Sequence, residues 1–334
     1  MVAIMTGMVA VAFTPAPAAQ NPNLRATTDL GAIASYYGAI VVTFASVRRW
    51  NQDLKLVLVT DCDPPPPFAD RLSALGVQLL KTKFEHLPSD GFWPTFNASL
   101  YTVDAMAMLA RTAEPADQIL LLDPDVLCIG ELTPVMQSIR GTGVLVYPTG
   151  FPDGEPSQGL SALDAALLHR ELDPELQEPP THFGGELYGF TAAGAIPILQ
   201  RAEEAWQLAL AGWATGQRHF VTEEHLLNYA VRRAPRTDAT EFIRRIWTAP
   251  TCRNVVGDED TLLLWHLPAE KDRGFVGLAE AAADPLSWFW TVDRSEYVRR
   301  AGILVGIPRR SLGRYAYDVA GSTIRAVQMA VKRR

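Results

Sequence analysis

The run Ile119-Leu120-Leu121-Leu122-Asp123-Pro124-Asp125-Val126-Leu127 constrains this chain more than any other segment. An unbroken apolar run of this length fits a strand covered on both faces, as in a largely parallel sheet with helices above and below. Pro124 removes an amide donor where the ladder would continue, so the sheet is expected to end there. Side chains at i and i+2 of an extended chain point the same way, so Asp123 and Asp125 can converge on one cation. Two hard oxygen ligands at a strand end suit magnesium or manganese, which keep positions open for phosphate oxygens. A strand end capped by two solvated acids is the alternative reading of the same residues.

The segments before this run alternate in period. Val9 to Phe13, Leu54 to Thr60 and Val77 to Leu80 read as strands, and Tyr36 to Trp50, Phe68 to Leu75 and Ser99 to Arg111 as helices. This alternation predicts an α/β fold with a mostly parallel sheet flanked by helices. Ligands of such sheets sit at the carboxyl ends of the strands, where Phe13, Thr14, Asp61, Asp123 and Asp125 fall. Further on, Val144 to Tyr147 reads as a strand and Ala162 to Leu172 as a helix. Phe183-Gly184-Gly185-Glu186-Leu187-Tyr188-Gly189-Phe190 reads as a glycine-rich turn whose Gly184 and Gly185 would let backbone approach a ligand. A long helix is expected from about Gly194 to Ala211. Thr222 is expected to cap a helix that opens on Glu223 and Glu224.

At 48% hydrophobic and 20% charged, the 334 residues describe a soluble globular protein. Cys62, Cys128 and Cys252 are odd in number and widely spaced, so neither a disulfide framework nor a zinc site is expected and a reducing, cytoplasmic setting follows. The apolar opening lacks the basic segment of a secretory signal, and no stretch is read as an uninterrupted apolar span of about 20 residues. Charge is uneven. From Arg299 to Arg334 nine Lys/Arg face one acid, Asp318, a local balance of +8, so residues 1–298 carry −15 of the total −7. The acidic body gives no basic surface for nucleic acid. The expected division is therefore a body over 1–298 and a basic tail over 299–334. Within the tail Leu312, Ala316, Val319, Thr323, Val327 and Val331 recur at helical spacing opposite Arg314, Asp318, Arg325, Gln328 and Lys332, the pattern of a helix that can lie on an anionic membrane surface. A helix packed on the sheet with its arginines in solvent fits the same pattern.

The order of the motifs is itself informative: βα units, a D-x-D strand end, a glycine-rich turn, an acidic helix start, then Trp265-His266-Leu267-Pro268-Ala269-Glu270-Lys271. It resembles the GT-A-type nucleotide-sugar glycosyltransferases, and among them the family 8-like group, over roughly residues 8 to 275. The resemblance implies Mn2+ or Mg2+ held by Asp123, Asp125 and His266, with Lys271 on the donor diphosphate. It also implies transfer of a hexose from a nucleotide diphosphate sugar, a UDP-sugar, to a glycan or lipid-linked acceptor with retained configuration. Glu186, Glu223 and Glu224 are the candidates to bind or deprotonate the acceptor hydroxyl. The chain departs from the family pattern in three places. The spacing from His266 to Lys271 is one residue shorter, and the first strand ends in Phe13-Thr14-Pro15 without an acidic or Asn residue. No Lys or Arg lies between Lys83 and Arg111, where relatives carry a cation; Arg253 and Arg273 are candidates to replace it.

Two rival classes remain. A haloacid-dehalogenase-like phosphatase would use Asp123 and Asp125 directly, with Gly257-Asp258-Glu259-Asp260 imitating its acidic loop. A catalytically inactive sugar-binding relative would keep the fold alone. Trp247, Trp265, Trp288 and Trp290 could offer flat faces to sugar rings, with core packing the alternative for most of them, and Trp288-Phe289-Trp290 is the cluster dense enough to stand as a candidate acceptor platform.

Overall fold

The computed structural model describes residues 7–310 except Arg25, Thr27, Asp153, Pro250 and Thr251, so the amphipathic segment from Ser311 onward lies outside the described residues. The first half follows the expected alternation: β1 (Gly7–Phe13), α1 (Asp29–Trp50), β2 (Lys55–Thr60), α2 (Pro66–Ala74), β3 (Val77–Lys81), α3 (Tyr101–Thr112) and β4 (Gln118–Leu122). Then come β5 (Val126–Cys128), α4 (Thr133–Thr142), β6 (Val144–Pro148), α5 (Ala162–Leu172), β7 (Phe183–Thr191), α6 (Ala192–Thr215) and α7 (Glu223–Ala230). Five short strands follow: β8 (Thr237–Asp238), β9 (Ile243–Arg245), β10 (Thr248–Ala249), β11 (Cys252–Arg253) and β12 (Leu264–His266). Three helices close the described chain: α8 (Gly274–Ala283), α9 (Trp288–Thr291) and α10 (Arg294–Val305).

The main sheet has seven strands in the order β3-β2-β1-β4-β7-β6-β8. β1 pairs in parallel with β2 and β4, and β2 with β3, while β7 runs antiparallel between β4 and β6. Alternate residues of β1 serve opposite faces, as period-two geometry requires. Val9 and Val11 join the core that holds Ile40 and Phe44 of α1, whereas Ala10 and Ala12 join Met106 of α3 and Ile198 of α6. The α/β class and the flanking helices are thus as expected.

Several details differ from the sequence reading. Residues 119–127 are not one strand. β4 ends at Leu122, Asp123-Pro124-Asp125 makes a turn, and β5 crosses into a second sheet of order β5-β12-β9. The proline thus redirects the chain between two sheets. The glycine-rich segment is strand β7 rather than a turn, because its apolar residues pair across β4 and β6. Its glycines sit at an irregularity where the partner of β6 jumps from Tyr188 to Gly184. Helix α1 starts at Asp29 instead of Tyr36, because the Thr28 hydroxyl accepts the Gly31 N–H at 3.2 Å. This 22-residue helix is long and apolar enough to cross a membrane by length and composition, contrary to the sequence reading, and 61% of its apolar window is buried inside the protein. Phe289 is buried against Tyr297, and the half-buried Trp288 and Trp290 pack on Tyr297 and Phe289 respectively rather than lining the cleft. Helix α10 runs through the expected boundary at 298, with Tyr297 and Ala301 both buried.

Candidate active site

The carboxyl ends of β1 and β4 open into a cleft of about 950 Å³, solvent at its mouth included. Its floor is the Asp123-Pro124-Asp125 turn. Three hydrogen bonds hold that turn: the Asp123 N–H donates to the Glu186 carbonyl at 3.1 Å, the Leu267 N–H donates to the Asp125 carbonyl at 3.0 Å, and the Thr43 hydroxyl of α1 donates to the Pro124 carbonyl at 2.8 Å. The second sheet then brings in the distant residues. β12 pairs antiparallel with β5 so that His266 stands opposite Val126, and pairs in parallel with β9 so that His266 stands opposite Arg245.

His266 Nε2 lies 3.3 Å from Asp123 Oδ2 and 3.2 Å from Asp125 Oδ1. Ligands about 2.1 Å from an octahedral ion stand about 3 Å apart along a shared edge, so the spacing fits one divalent cation. Among the described residues, these three are the group of metal-binding side chains close enough to share an ion. The donor set of two carboxylates and an imidazole suits manganese or magnesium. Lys271 is buried, and its ammonium contacts the second oxygen of Asp125 and sits over the Tyr36 ring at 5.3 Å.

The electrostatics follow from these contacts. Asp123 keeps 43% of its side-chain surface open into the cleft, yet the surrounding walls strip enough water to push its carboxyl up to about 7 against the pull of His266. Burial would raise Asp125 as well, but Lys271 and His266 together hold it well below the usual carboxylate range. Burial disfavours the charged form of His266, yet Asp125 and Glu186 outweigh it and raise the imidazole to about 9.

The three candidate glutamates separate. Glu186 is fully buried and gripped by the Arg245 guanidinium, Nε to Oε1 at 2.9 Å and a terminal nitrogen to Oε2 at 2.5 Å. Glu224 is equally committed. It accepts the Gly185 N–H at 2.9 Å, Arg245 at 3.0 Å and His182 Nε2 at 2.8 Å, and Asn228 orients that histidine by donating to Nδ1 at 2.9 Å. Among the described residues Glu223 lines the cleft without a salt-bridge partner, and burial beside Glu224 and Asp123 raises its pKa well above the usual range. Of the three, Glu223 has the uncommitted carboxyl.

The remaining expected positions are mixed. Phe13 lines the cleft and stacks on Tyr36 at 5.1 Å. The Thr14 hydroxyl donates to Asp61 at 2.9 Å, but Asp61 itself is exposed and outside the cleft lining. Gly185 lines the cleft, where a Cβ would meet Glu223 Oε1 at 2.5 Å. Gly184 does not; a Cβ there would lie 2.0 Å from Glu186 Oε2 and 2.6 Å from Arg245, so this glycine makes room for an ion pair rather than for a ligand.

Sequence reasoning missed Arg245, which joins Lys271 as a cation of the cleft lining. Arg253 is used elsewhere, donating to the Gly306 and Pro308 carbonyls. It also missed Asn21 and Asn23, which reach the cleft from the loop after β1; of the four candidate tryptophans, Trp247 lines the cleft and Trp265, Trp288 and Trp290 do not. The acidic loop of the phosphatase reading is occupied otherwise, since Asp258 pairs with Arg244 and Glu259 accepts the Val256 and Gly257 N–H groups.

No protein-family model and no curated protein matches this sequence. Solved structures are similar in fold. The galactosyltransferase LgtC, solved with donor and acceptor sugar analogs, is 12% identical with a TM-score of 0.46, over 90% of this chain and 97% of that one. Mouse xyloside xylosyltransferase 1 is 11% identical with a TM-score of 0.47, over 78% of this chain and 97% of that one. The glycosyltransferase GlyE of Streptococcus pneumoniae TIGR4 is 13% identical with a TM-score of 0.44, over 89% of this chain and 63% of that one.

Proposed function

We propose that the protein is a metal-dependent glycosyltransferase that moves a hexose from a nucleotide diphosphate sugar, a UDP-sugar, to a glycan or lipid-linked acceptor with retention of configuration. The observation that carries this reading is the convergence of Asp123, Asp125 and His266 beside Lys271 at the floor of the cleft. Cleaving a sugar–phosphate bond leaves a diphosphate whose new charge must be stabilised, and a bound divalent cation supplies that as a Lewis acid. Lys271 is placed to neutralise oxygens that the cation leaves free. Phe13, Tyr36, Asn21 and Asn23 bring aromatic faces and amide groups to the cleft lining, the chemistry that holds a nucleobase. Trp247 and Glu223 offer a flat face and a carboxyl to sugar hydroxyls. Retention rests on the motif resemblance. The setting proposed from sequence is cytoplasmic, on the inner face of the membrane.

The test is hydrolysis of a panel of nucleotide sugars with manganese, with and without excess chelator, for the native chain and Asp125→Asn. Turnover of a UDP-sugar that both chelator and Asp125→Asn abolish is the expected result. Full activity in chelator, or in a folded Asp125→Asn protein, removes the proposal.

A further inference from the structure

Behind the three candidate metal ligands lies a buried carboxylate that the reaction does not need in contact with substrate. An imidazole that offers Nε2 to a cation must carry its proton on Nδ1, and a carboxylate at Nδ1 fixes both tautomer and ring plane. His266 turns Nε2 toward Asp123 and Asp125 and Nδ1 toward Glu186 Oε1, at 3.4 Å. At that distance the pair is an ionic contact rather than a formed hydrogen bond, and buried Nδ1 has no hydrogen-bond partner among the described residues. Glu186 cannot easily turn away, because it is 0% exposed and the Arg245 fork holds both its oxygens. Arg245 is in turn anchored by Glu224 at 3.0 Å and by the ladder that sets it opposite His266. Gly184 completes the arrangement by leaving out the Cβ that would collide with the pair.

We propose that Glu186 is a positioning residue that aims His266 at the metal, with Arg245 clamping it and Gly184 making room. This rests on the reading of Asp123, Asp125 and His266 as a metal site. It moves Glu186 from the catalytic candidates into the support of the metal centre and leaves Glu223 as the uncommitted carboxyl of the cleft.

The test is Mn2+ binding to the full chain, followed by the paramagnetic signal of free manganese and by calorimetry, without substrate. Glu186→Leu should bind manganese about 10- to 100-fold more weakly than the native chain, as loss of such a support does elsewhere. Glu186→Gln keeps an oxygen acceptor without the charge and should fall between the two. Gly184→Ala, which leaves every polar group in place but crowds the clamp, should also weaken binding. With diamagnetic Mg2+, 15N spectra of labelled histidine should show His266 protonated at Nδ1 in the native chain and a mixture of tautomers in Glu186→Leu. If Glu186→Leu does not fold, Glu186→Gln and Gly184→Ala decide the matter. Unchanged affinity and an unchanged tautomer in folded variants overturn the positioning role while the metal site stands. A native chain that binds no more manganese than Asp125→Asn overturns the metal site itself, and the positioning role with it.

Discussion

His266 is the cross-strand partner of Val126, so its imidazole stands one residue from Asp125 in space although 140 residues separate them in sequence. The same strand carries Arg245 on its other side. One short ladder thus assembles the acid, the imidazole and the guanidinium of the cleft. The consequences are testable.

Cation binding should release protons in a pH-dependent number. Asp123 titrates near 7 and His266 near 9, both raised, so each holds a proton below its value and must lose it to bind a metal. About two protons should leave near pH 6 and about one near pH 8. Apparent affinity should fall about tenfold per unit from pH 9 to 7 and about a hundredfold per unit below 7. Calorimetry in buffers of different ionisation enthalpy measures the count; a pH-independent count contradicts it.

Lys271→Ala should weaken nucleoside diphosphate binding by about tenfold or more and nucleoside binding much less, because its ammonium contacts Asp125 at the cation site, although it also lies 5.3 Å from the Tyr36 ring. The variant also leaves Asp125 without its closest cation, so a loss of thermal stability is expected alongside. Equal loss for both ligands would place Lys271 away from the phosphates.

His169 makes stability pH-dependent. Burial, reinforced by Arg232, lowers its pKa to about 3, and its Nδ1 has no hydrogen-bond partner among the described residues. The unfolded chain takes up this proton below about 6.5 while the folded chain does not, so stability is lost as pH falls through that value. Relative to His169→Leu, the native chain should lose about 2 kcal/mol between pH 7 and pH 5. Denaturant titrations at the two pH values give the difference, and parallel curves would exclude a buried neutral imidazole.

The basic segment after Arg310 is proposed from sequence as a membrane-docking element. Truncation before Ser311 should abolish salt-sensitive binding to anionic vesicles and spare donor hydrolysis in solution. Binding that survives truncation, or that never occurs in the intact chain at low salt, rules the element out.

What the sequence determined by itself is local. Apolar periodicity set out the α/β alternation, because burying one stripe of a helix or both faces of a strand demands that spacing. Pro124 marked the end of β4, since a residue without an amide proton cannot continue a ladder. Thr222 marked the start of α7, where unpaired N–H groups favour an oxygen-bearing cap. The acids of the D-x-D were legible for the same reason. Tertiary structure decided which distant groups meet them. Lys271 reaches Asp125 across 146 residues, and Arg245 reaches Glu186 across 59, through strand registers that no local pattern encodes. The same holds for the aromatics. Trp247 and Trp288 look alike in sequence, and only the tertiary structure packs the Trp288 cluster against Tyr297 and Phe289 while Trp247, two residues after β9, lines the cleft. Glutamates 186, 223 and 224 are identical in chemistry; which of them stays uncommitted depends on where the single guanidinium of Arg245 comes to rest.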